Sequence, residues 1–452
     1  MGRITLKQAA QWCGGHVEEK YENVVFFGAG NDTRSLKTGQ LFIALQGARD
    51  GHDFIPDAME RGAAAVLCSR QVGDYPAIVV EDPRIALGQI AREERKRLGI
   101  RVVGITGSVG KSTTKEMIAD VLESTYRVGK TPVNHNNDIG MPMAILAMEE
   151  GTEVAVLEMG MNHFREMAYL SSIARPNIAV IINIGTMHIE FLGSIEGIRR
   201  AKMEILEGMD ENGELILNGD DVMLRNLDKI PTQKIIYFGA DNGCSVRYSD
   251  IMQDDDELRF RVETENQSFC VEMALEGKHY VLDAMAAVTV GLKLGVSPEQ
   301  IQEKLAGFRN MEGRQQVFRE KGYTIIKDCY NAGPESMEAA LRVLGNKQGR
   351  RVAVLGEMLE LGRCASAEHY RIGRIAAGKA DVVVAYGPDS DRVYSGCITG
   401  GMPENCVKAF TDKDALILWL KRAAKTGDTI LFKGSRGMHM ESILDAFLKS
   451  EK

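Results

Sequence analysis

Residues 102–117, VVGITGSVGKSTTKEM, constrain the fold more than any other segment of the chain. The pattern predicts a buried strand, a glycine-rich turn and a helix that begins at Lys111. Glycines in the turn let backbone N–H groups face a phosphate, and the helix adds the positive end of its dipole. The lysine can reach the β- and γ-phosphates, and the Ser112 hydroxyl can bind Mg²⁺. We therefore predict a P-loop formed by Gly107, Ser108, Gly110, Lys111, Ser112 and Thr113.

The segment departs from the standard P-loop pattern at one position. In G-x-x-x-x-G-K-[ST] the first glycine falls at Ile105, and this chain has Gly104 one residue earlier. A tight turn without a ligand is the alternative interpretation. The strand, the spacing and the Lys-Ser-Thr tripeptide occur together, and this combination favours phosphate binding.

Length and charge limit what surrounds this loop. The chain has 452 residues, more than one hydrophobic core normally supports, so we expect two or three domains. A net charge of −8 argues against a nucleic-acid partner, and anionic ligands must then be bound locally. No apolar stretch is long enough to cross a bilayer, and the eight cysteines lack CxxC spacing. We expect a cytoplasmic protein with reduced thiols that does not insert into a membrane.

The order of the predicted elements indicates an α/β protein with three domains. Residues 1–98 alternate short apolar runs with helical segments and predict a small α/β domain. Residues 99–313 alternate VVGIT, VAVLEMG and IAVIINIG with amphipathic helices, which indicates a mostly parallel sheet covered on both faces. Short strand-like segments between Gly208 and Cys270 predict an antiparallel extension of that sheet. TIIKDCY, RVAVLGEM, ADVVVAYG and DTILFKG predict a Rossmann-like α/β domain over residues 314–452.

Several motifs follow one another in the order found in the Mur ligase family. TGSVGKSTT resembles the P-loop of that family, and NNDIGMP, LEMGMNHFREM, INIGTMHIEFLGS and RRAKMEIL come after it. GRQQ, KDCYNAGPESMEAAL, VLGEMLELG and LFKGSRGM resemble the third domain of the members that add D-alanyl-D-alanine. The likeness extends from about Asn31 to Met438 and so covers most of the chain.

The resemblance implies an ATP-dependent ligase that forms a C–N bond and releases ADP. The expected reaction joins D-alanyl-D-alanine to UDP-N-acetylmuramoyl-tripeptide through an acyl phosphate, in the synthesis of the peptidoglycan precursor. The first domain would hold the UDP substrate, the central domain ATP and Mg²⁺, and the third domain the dipeptide while completing the ATP site. We expect a monomer. The third residue of the tripeptide, diaminopimelate or lysine, stays open.

Two absences favour this branch of the family over its relatives. The chain lacks the D-N-P-R motif with which one relative selects diaminopimelate or lysine, and it lacks a complete dinucleotide-like glycine fingerprint near the amino terminus. A P-loop switch or kinase, and a binding protein that kept only the scaffold, are alternatives of other classes. A folate polyglutamate or polymer-forming ligase is the nearest rival within the same class.

Three residues are candidates for chemistry beside Lys111. Glu158 and His188 follow strands of the parallel sheet, whose ends deliver side chains to a common crevice, and the family motifs imply that both bind Mg²⁺ with Ser112. A surface carboxylate and a structural histidine are the alternatives. Lys202 matches a family lysine that is carbamylated, which turns a cation into an anion that a metal can stabilise; a solvated helix lysine is the alternative.

The resemblance also assigns residues to the nucleotide and to both substrates. Asn137 would contact adenine, Arg314 a phosphate and Asp328 the ribose. Tyr280 and Asp283 stand where many relatives have asparagines, which changes the groups that can face adenine. The candidates for the UDP end are Thr33, Arg34, Gly47, Asp50, Gly51 and His52, with a solvated turn as the alternative. The candidates for the dipeptide are Asn331, Ala332, Pro334 and Ser336, in a loop where Gly333 replaces an Asn-like position.

Overall fold

The fold is described by a computed structural model that covers residues 3–71, 73–227, 231–254 and 257–449. These residues form an α/β protein of three units, with sheets of four, nine and six strands, and a two-stranded ribbon beside the smallest sheet. Within the described ranges, no helix combines the length and the apolar character needed to span a bilayer.

The first unit has a four-stranded parallel sheet in the order β3-β4-β5-β6. Its elements are β1 (Ile4–Thr5), α1 (Leu6–Cys13), β2 (Val25–Phe26), β3 (Ala29–Gly30), β4 (Leu41–Ile43), α2 (Ile55–Glu60), β5 (Ala65–Cys68), β6 (Ala77–Val79) and α3 (Pro83–Leu98). Helix α3 begins where the Asp82 side chain accepts hydrogen bonds from the backbone of Arg84 and Ile85, and it ends at Gly99 in the left-handed region. The two ends are therefore fixed by local sequence.

The second unit carries the P-loop on a nine-stranded sheet in the order β15-β14-β13-β12-β11-β10-β7-β9-β8. Its strands are β7 (Arg101–Thr106), β8 (Val128–Lys130), β9 (Val154–Glu158), β10 (Ile178–Ile181), β11 (Glu214–Asn218), β12 (Lys234–Gly239), β13 (Val246–Gln253), β14 (Leu258–Glu263) and β15 (Ser268–Met273). Its helices are α4 (Lys111–Leu122), α5 (Gly140–Leu146), α6 (Glu166–Ala174), α7 (Ile189–Leu192), α8 (Ile195–Met203), α9 (Val222–Arg225), α10 (Tyr280–Lys293) and α11 (Pro298–Gly307). Strands β10, β7 and β9 are parallel neighbours, so the loops after them meet at one edge.

The antiparallel part of this sheet is smaller than the sequence suggested. Strands β11 and β12 pair in parallel with their neighbours and continue the main sheet. The pair β12 and β13 is also parallel, and only β13, β14 and β15 form an antiparallel meander. Short alternating strands at a sheet margin have the same pattern in both orientations, so the sequence did not separate the two cases.

The third unit has a six-stranded sheet in the order β16-β17-β21-β18-β19-β20, parallel except for the β16 and β17 pair. Its strands are β16 (Gln316–Glu320), β17 (Tyr323–Asp328), β18 (Arg351–Gly356), β19 (Val382–Tyr386), β20 (Val407–Phe410) and β21 (Thr429–Lys433). Its helices are α12 (Pro334–Asn346), α13 (Ala365–Ala377), α14 (Ser390–Thr399), α15 (Lys413–Ala423) and α16 (Met440–Leu448). The loop between β17 and α12 faces the P-loop unit, which brings the third unit to the nucleotide side of the molecule.

Candidate active site

A cavity of about 1030 Å³ lies between the P-loop turn, the ends of the central strands and the start of α12. Most residues predicted from the sequence for the nucleotide, the metal and the dipeptide line it. These are Ser108, Gly110, Lys111, Ser112, Thr113, Asn137, Glu158, His188, Arg314, Asp328, Asn331, Ala332 and Ser336. Cavities of this size that combine a few convergent polar groups with apolar walls are typical ligand sites.

The P-loop turn is held by its own lysine and by an asparagine that the motif did not predict. Gly110 has φ 84°, which permits the turn into α4. The Lys111 amine donates to the carbonyl oxygens of Gly107 at 2.8 Å and Ser108 at 3.2 Å. The Asn183 side chain accepts from the backbone N–H groups of Ser108 at 2.9 Å and Val109 at 3.0 Å. Asn183 follows β10, so the neighbouring strand shapes the loop.

Oxygen ligands for a divalent cation converge at the start of α4. The Ser112 hydroxyl donates to Glu158 Oε2 at 2.7 Å, and Arg314 donates to the same hydroxyl at 2.8 Å. Asn136 donates to the other oxygen of Glu158 at 2.8 Å, a contact that sequence reasoning missed. Ser112 and Glu158 are buried. A hydroxyl and a carboxylate at this separation match the donor set that Mg²⁺ prefers in phosphate sites.

His188 is held by the third unit. Its Nδ1 atom lies 2.5 Å from Oε2 of Glu360, in the loop after β18. Burial lowers the pKa of His188, and the Glu360 carboxylate opposes this effect, while Lys111 and Lys202 add to it. The neutral ring then has one nitrogen engaged with Glu360 and the other available as a metal ligand.

Lys202 is a buried cation with little to compensate its charge. Its side chain is 1% exposed on α8, and its amine makes no hydrogen bond or ion pair with the described residues. Burial, together with the nearby Lys111, lowers the pKa of Lys202 well below its usual range. The solvated-lysine interpretation is therefore wrong for this residue, because the side chain is removed from water.

The predicted nucleotide residues are partly engaged with one another. Asp328 accepts from the Lys433 amine at 2.6 Å, and Lys433, at the end of β21, was not predicted. The Arg314 guanidinium stacks over the Tyr330 ring at 3.9 Å from its centroid. The Asn137 side-chain oxygen accepts from the backbone of Gly140 at 2.8 Å at the start of α5. Asn137 thus caps a helix and lines the cavity at the same time.

Asp283 lies against the P-loop at the position where many relatives have asparagine. It is buried, and its Oδ1 atom accepts a hydrogen bond from the Thr114 hydroxyl at 2.8 Å. The same carboxylate lies so close to Gly110 that a side chain there would collide with it. Burial raises the pKa of Asp283 to about 7, against the opposing effects of Thr114 and Arg314.

The residues predicted for the UDP end lie outside this cavity. Asp50 caps the turn at residues 51–54 by accepting from the backbone of His52, and it also binds the ring of His52 and the Arg70 guanidinium. His52 is buried and its Nε2 atom accepts from the Ser69 backbone at 3.1 Å. The Arg34 guanidinium pairs with Asp32 on the surface. These contacts are local, and Thr33, Gly47 and Gly51 likewise do not reach the cavity.

The predicted dipeptide loop connects β17 to α12. The Asn331 side chain accepts from the backbone of Ala332 at 2.9 Å, and the Ser336 hydroxyl accepts from the Gly333 backbone at 3.1 Å. Pro334 is the first residue of α12, where the missing N–H costs nothing. Asn331, Ala332 and Ser336 line the cavity, whereas Pro334 supports the helix start.

A second acidic cluster in the third unit does not suit a metal. Potential ligand atoms of Glu357, His369 and Asp389 lie within 4.8 Å of one another. His369 Nε2 accepts from the Met358 backbone at 3.0 Å, and Nδ1 donates to the Ala365 carbonyl at 2.8 Å. Both ring nitrogens are therefore engaged with the backbone, and the histidine is structural.

The fold and the site together define a P-loop protein of the α/β class with a cleft shared between units. Three family models match successive parts of the chain: the Mur ligase family catalytic domain over residues 28–103, the Mur ligase middle domain over 105–291, and the Mur ligase glutamate ligase domain over 313–436. The chain belongs to the Mur ligase family.

Relatives and solved structures agree with this assignment. The UDP-N-acetylmuramoyl-tripeptide--D-alanyl-D-alanine ligase of Bacillus subtilis is 40% identical over 100% of this chain and 99% of its own length. A crystal structure of MurF from Acinetobacter baumannii covers 100% of both chains with a TM-score of 0.91 at 31% identity. The MurF ligase of Thermotoga maritima in complex with ADP covers 93% of this chain and 97% of its own, with a TM-score of 0.82 at 31% identity.

Proposed function

We propose that the protein joins D-alanyl-D-alanine to UDP-N-acetylmuramoyl-tripeptide in an ATP-dependent reaction of peptidoglycan precursor synthesis. The observation that carries the proposal is the convergence of Lys111, the Ser112 and Glu158 pair, and Arg314 of the third unit on one cavity. The full-length likeness to UDP-N-acetylmuramoyl-tripeptide--D-alanyl-D-alanine ligases supports the same substrates. UDP-tripeptide, ATP and dipeptide are thus the expected ligands.

The chemistry requires activation of a carboxylate before an amine can attack it. In the first step a carboxylate oxygen of the tripeptide attacks the γ-phosphorus of ATP, the bond to the bridging oxygen breaks and ADP leaves. In the second step the amine nitrogen attacks the acyl carbon, and inorganic phosphate leaves. The first step depends mainly on neutralising the charge on the transferred phosphoryl group. Lys111 and Arg314 are the cations suited to this role.

The oxygen donors suit a magnesium ion beside the phosphates. Ser112, Glu158 and His188 would hold it, and Mg²⁺ would supply a counter-charge to the transferred phosphoryl group when bound. Glu158 is oriented by Asn136, and His188 by Glu360, so each ligand has a partner that fixes its direction. Lys202, if carbamylated, would add an anion next to the cations of this site.

The three units divide the substrates among them. Residues 1–98 would hold the UDP end through the 33–52 segment, residues 99–313 the nucleotide, and residues 314–452 the dipeptide through the 331–336 loop. Asn137 and Asp328 would contact the adenosine part. We further propose that the protein is a monomer and that it is cytoplasmic; the eight cysteines are free thiols, which suits a reducing compartment.

A coupled assay with purified protein tests the function. ADP and phosphate are expected only when ATP, UDP-N-acetylmuramoyl-tripeptide and D-alanyl-D-alanine are all present, because an acyl phosphate must be consumed for turnover to continue. Mass spectrometry of the product should show the UDP-pentapeptide. Equal turnover with free lysine or glutamate as the acceptor would refute the assignment and favour a different amino-acid ligase.

A further inference from the structure

The carboxylate of Glu335 bridges the second and third units at the cavity. Glu335 is the second residue of α12, and its Oε1 atom accepts hydrogen bonds from the Thr186 backbone at 2.8 Å and the Thr186 hydroxyl at 3.0 Å. Thr186 lies in the loop after β10, two residues before His188. Glu335 therefore faces the loop that carries a proposed metal ligand.

The second oxygen of this carboxylate has no hydrogen-bond donor. Oε2 of Glu335 is buried and makes no hydrogen bond with the described part of the chain. Leaving a buried charged oxygen unsatisfied is costly, on the order of a few kcal/mol. The dipole of α12 favours a negative charge in the first turn, but it supplies no donor to Oε2. A donor that arrives with a ligand would satisfy the atom.

The surroundings indicate what kind of ligand that is. Gly185, next to Thr186, donates its backbone N–H to the Ser108 hydroxyl of the P-loop at 2.8 Å. Glu335 thus lies close to the phosphate-binding turn and at the start of the helix that follows the 331–336 loop. A carboxylate here would repel a phosphate or a second carboxylate and would attract a cationic hydrogen-bond donor. The amine of the acceptor, as an ammonium group, is the substrate group with that chemistry.

We propose that Oε2 of Glu335 binds the ammonium group of the incoming acceptor and orients its nitrogen toward the activated carboxyl group. The ammonium group releases a proton to water, the neutral nitrogen then bonds to the acyl carbon, and the bond from that carbon to the phosphate oxygen breaks. This inference rests on the proposed ligase function and adds a residue that the family motifs did not assign. Oε1 stays on Thr186 and fixes the plane of the carboxylate, and Oε2 is the remaining oxygen of a residue that lines the cavity. The acceptor is then held by charge rather than by its methyl groups alone.

The test separates acceptor binding from activation of the tripeptide. Hydroxylamine can trap an acyl phosphate as a hydroxamate in the absence of D-alanyl-D-alanine, because it needs no ammonium site. In Glu335→Gln the amide oxygen can still accept from Thr186. An uncharged NH₂ group then takes the place of the unpaired carboxylate oxygen. We expect the KM for D-alanyl-D-alanine to rise by about tenfold or more, since a hydrogen bond between charged groups is lost. Hydroxamate formation from ATP and UDP-tripeptide should stay near the wild-type rate.

Two control variants distinguish this role from a purely structural bridge. Thr186→Val removes the hydroxyl bond to Glu335 and leaves the carboxylate, whereas Glu335→Gln keeps an oxygen that accepts from Thr186. A structural bridge therefore predicts the larger loss in Thr186→Val, and ammonium binding predicts the larger rise in KM in Glu335→Gln. Glu368→Gln alters a carboxylate of α13 that lies outside the cavity lining and is paired with Arg371. Its KM for the dipeptide should match the wild type. Glu335→Asp is a further variant that retains the charge. Thermal melting of all four variants controls for misfolding.

The outcomes decide between the two proposals. A raised KM for the dipeptide with retained hydroxamate formation supports ammonium binding. Equal losses in both assays, or no loss in either, overturn it while leaving the ligase function in place. A wild-type protein that forms neither hydroxamate nor UDP-pentapeptide overturns the proposed function itself, and the inference with it.

Discussion

The Nδ1 atom of His188 lies 2.5 Å from Oε2 of Glu360, and this contact joins the loop after β10 to the third unit. A ring that donates from Nδ1 to a carboxylate leaves Nε2 as its metal-binding atom. His188 has φ 66°, an uncommon value for a residue with a side chain, so the loop holds it in a strained conformation. The third unit thus helps to orient a proposed metal ligand of the second.

Glu360→Ala should weaken Mg²⁺ binding and so raise the Mg²⁺ concentration that the reaction needs. Without the carboxylate the imidazole loses its orienting partner, and loss of such a partner typically costs about 10- to 100-fold in metal affinity or activity. The measurement is the Mg²⁺ concentration that gives half-maximal product formation at saturating substrates. Glu196→Ala, in the exposed first turn of α8, is the control and should behave as the wild type. An unchanged Mg²⁺ requirement in Glu360→Ala would contradict the orienting role.

Lys111→Ala should lower kcat far more than it changes KM. The lysine amine is held against the P-loop carbonyl groups, within reach of the phosphate that the turn would bind. Removing a charge that stabilises the transferring phosphoryl group is expected to cost about 10²- to 10³-fold in kcat. Steady-state kinetics with ATP as the varied substrate measure the effect. Lys96→Ala, at an exposed lysine of α3, is the matched control; a normal kcat in Lys111→Ala would remove this loop from the mechanism.

The sequence predicted the parts of the site that are formed by residues close together in the chain. The P-loop turn and the start of α4 depend on residues 102–117, and the structure has the predicted strand, turn and helix there. The residues that were missed act over long sequence separations. Asn183 supports the loop from 75 residues away, and Glu360 binds His188 across 172 residues. Such pairs depend on how strands are ordered in space, which one sequence does not reveal.

Burial was the second kind of information that the sequence lacked. Lys202 follows Arg199 and Arg200 in a helix, and a solvated lysine was the alternative interpretation, yet the fold places the residue in the core. The antiparallel orientation predicted for β11 and β12 was also wrong, because a short apolar strand at a margin suits either direction. In the 47–52 segment, Asp50 and His52 form hydrogen bonds within the first unit, and these bonds hold the turn without requiring a ligand.

Asp283→Asn should change how stability depends on pH. Burial raises the pKa of Asp283 to about 7 in the folded protein, above its ordinary value of 3.8. The neutral form therefore favours the fold at low pH, and this contribution is lost as pH rises from about 4 through about 7. The asparagine variant does not titrate, so relative to the wild type it should gain stability between pH 5 and pH 8. The gain is on the order of a few kcal/mol, since one pKa unit is worth about 1.4 kcal/mol.

Denaturant unfolding of the ligand-free protein at several pH values measures this difference. Asp57→Asn, at an exposed carboxylate, controls for a general effect of removing a charge. Its pKa is lowered by Thr33 and Arg61, so its contribution has the opposite sign and is lost as pH falls. Parallel pH profiles for the wild type and Asp283→Asn would show that the buried carboxyl group does not titrate near neutrality.

Lys202 distinguishes a modified residue of the active site from an ordinary lysine. A neutral amine reacts with CO₂ to form a carbamate and release one proton, and burial beside Lys111 lowers the pKa of the Lys202 amine, which raises its neutral fraction. The resulting anion would be stabilised by Lys111 and by bound Mg²⁺. Lys202→Ala should therefore depress acyl-phosphate formation, measured as hydroxamate, without unfolding the protein.

Lys202→Arg is the sharper variant, because arginine keeps a positive charge but cannot form the carbamate. If the residue acts as a cation, this variant should retain near-normal turnover; if it acts as a carbamate, turnover should be lost although the thermal melting temperature is maintained. Removal of CO₂ from the buffer should lower the wild-type rate, and added bicarbonate should restore it, while neither treatment should affect Lys202→Arg. Native mass spectrometry or ¹³C NMR with labelled bicarbonate should detect one added carboxyl group in the wild type only. Wild-type rates in Lys202→Arg, with no label at Lys202, would exclude the carbamate and leave the buried lysine as a cation.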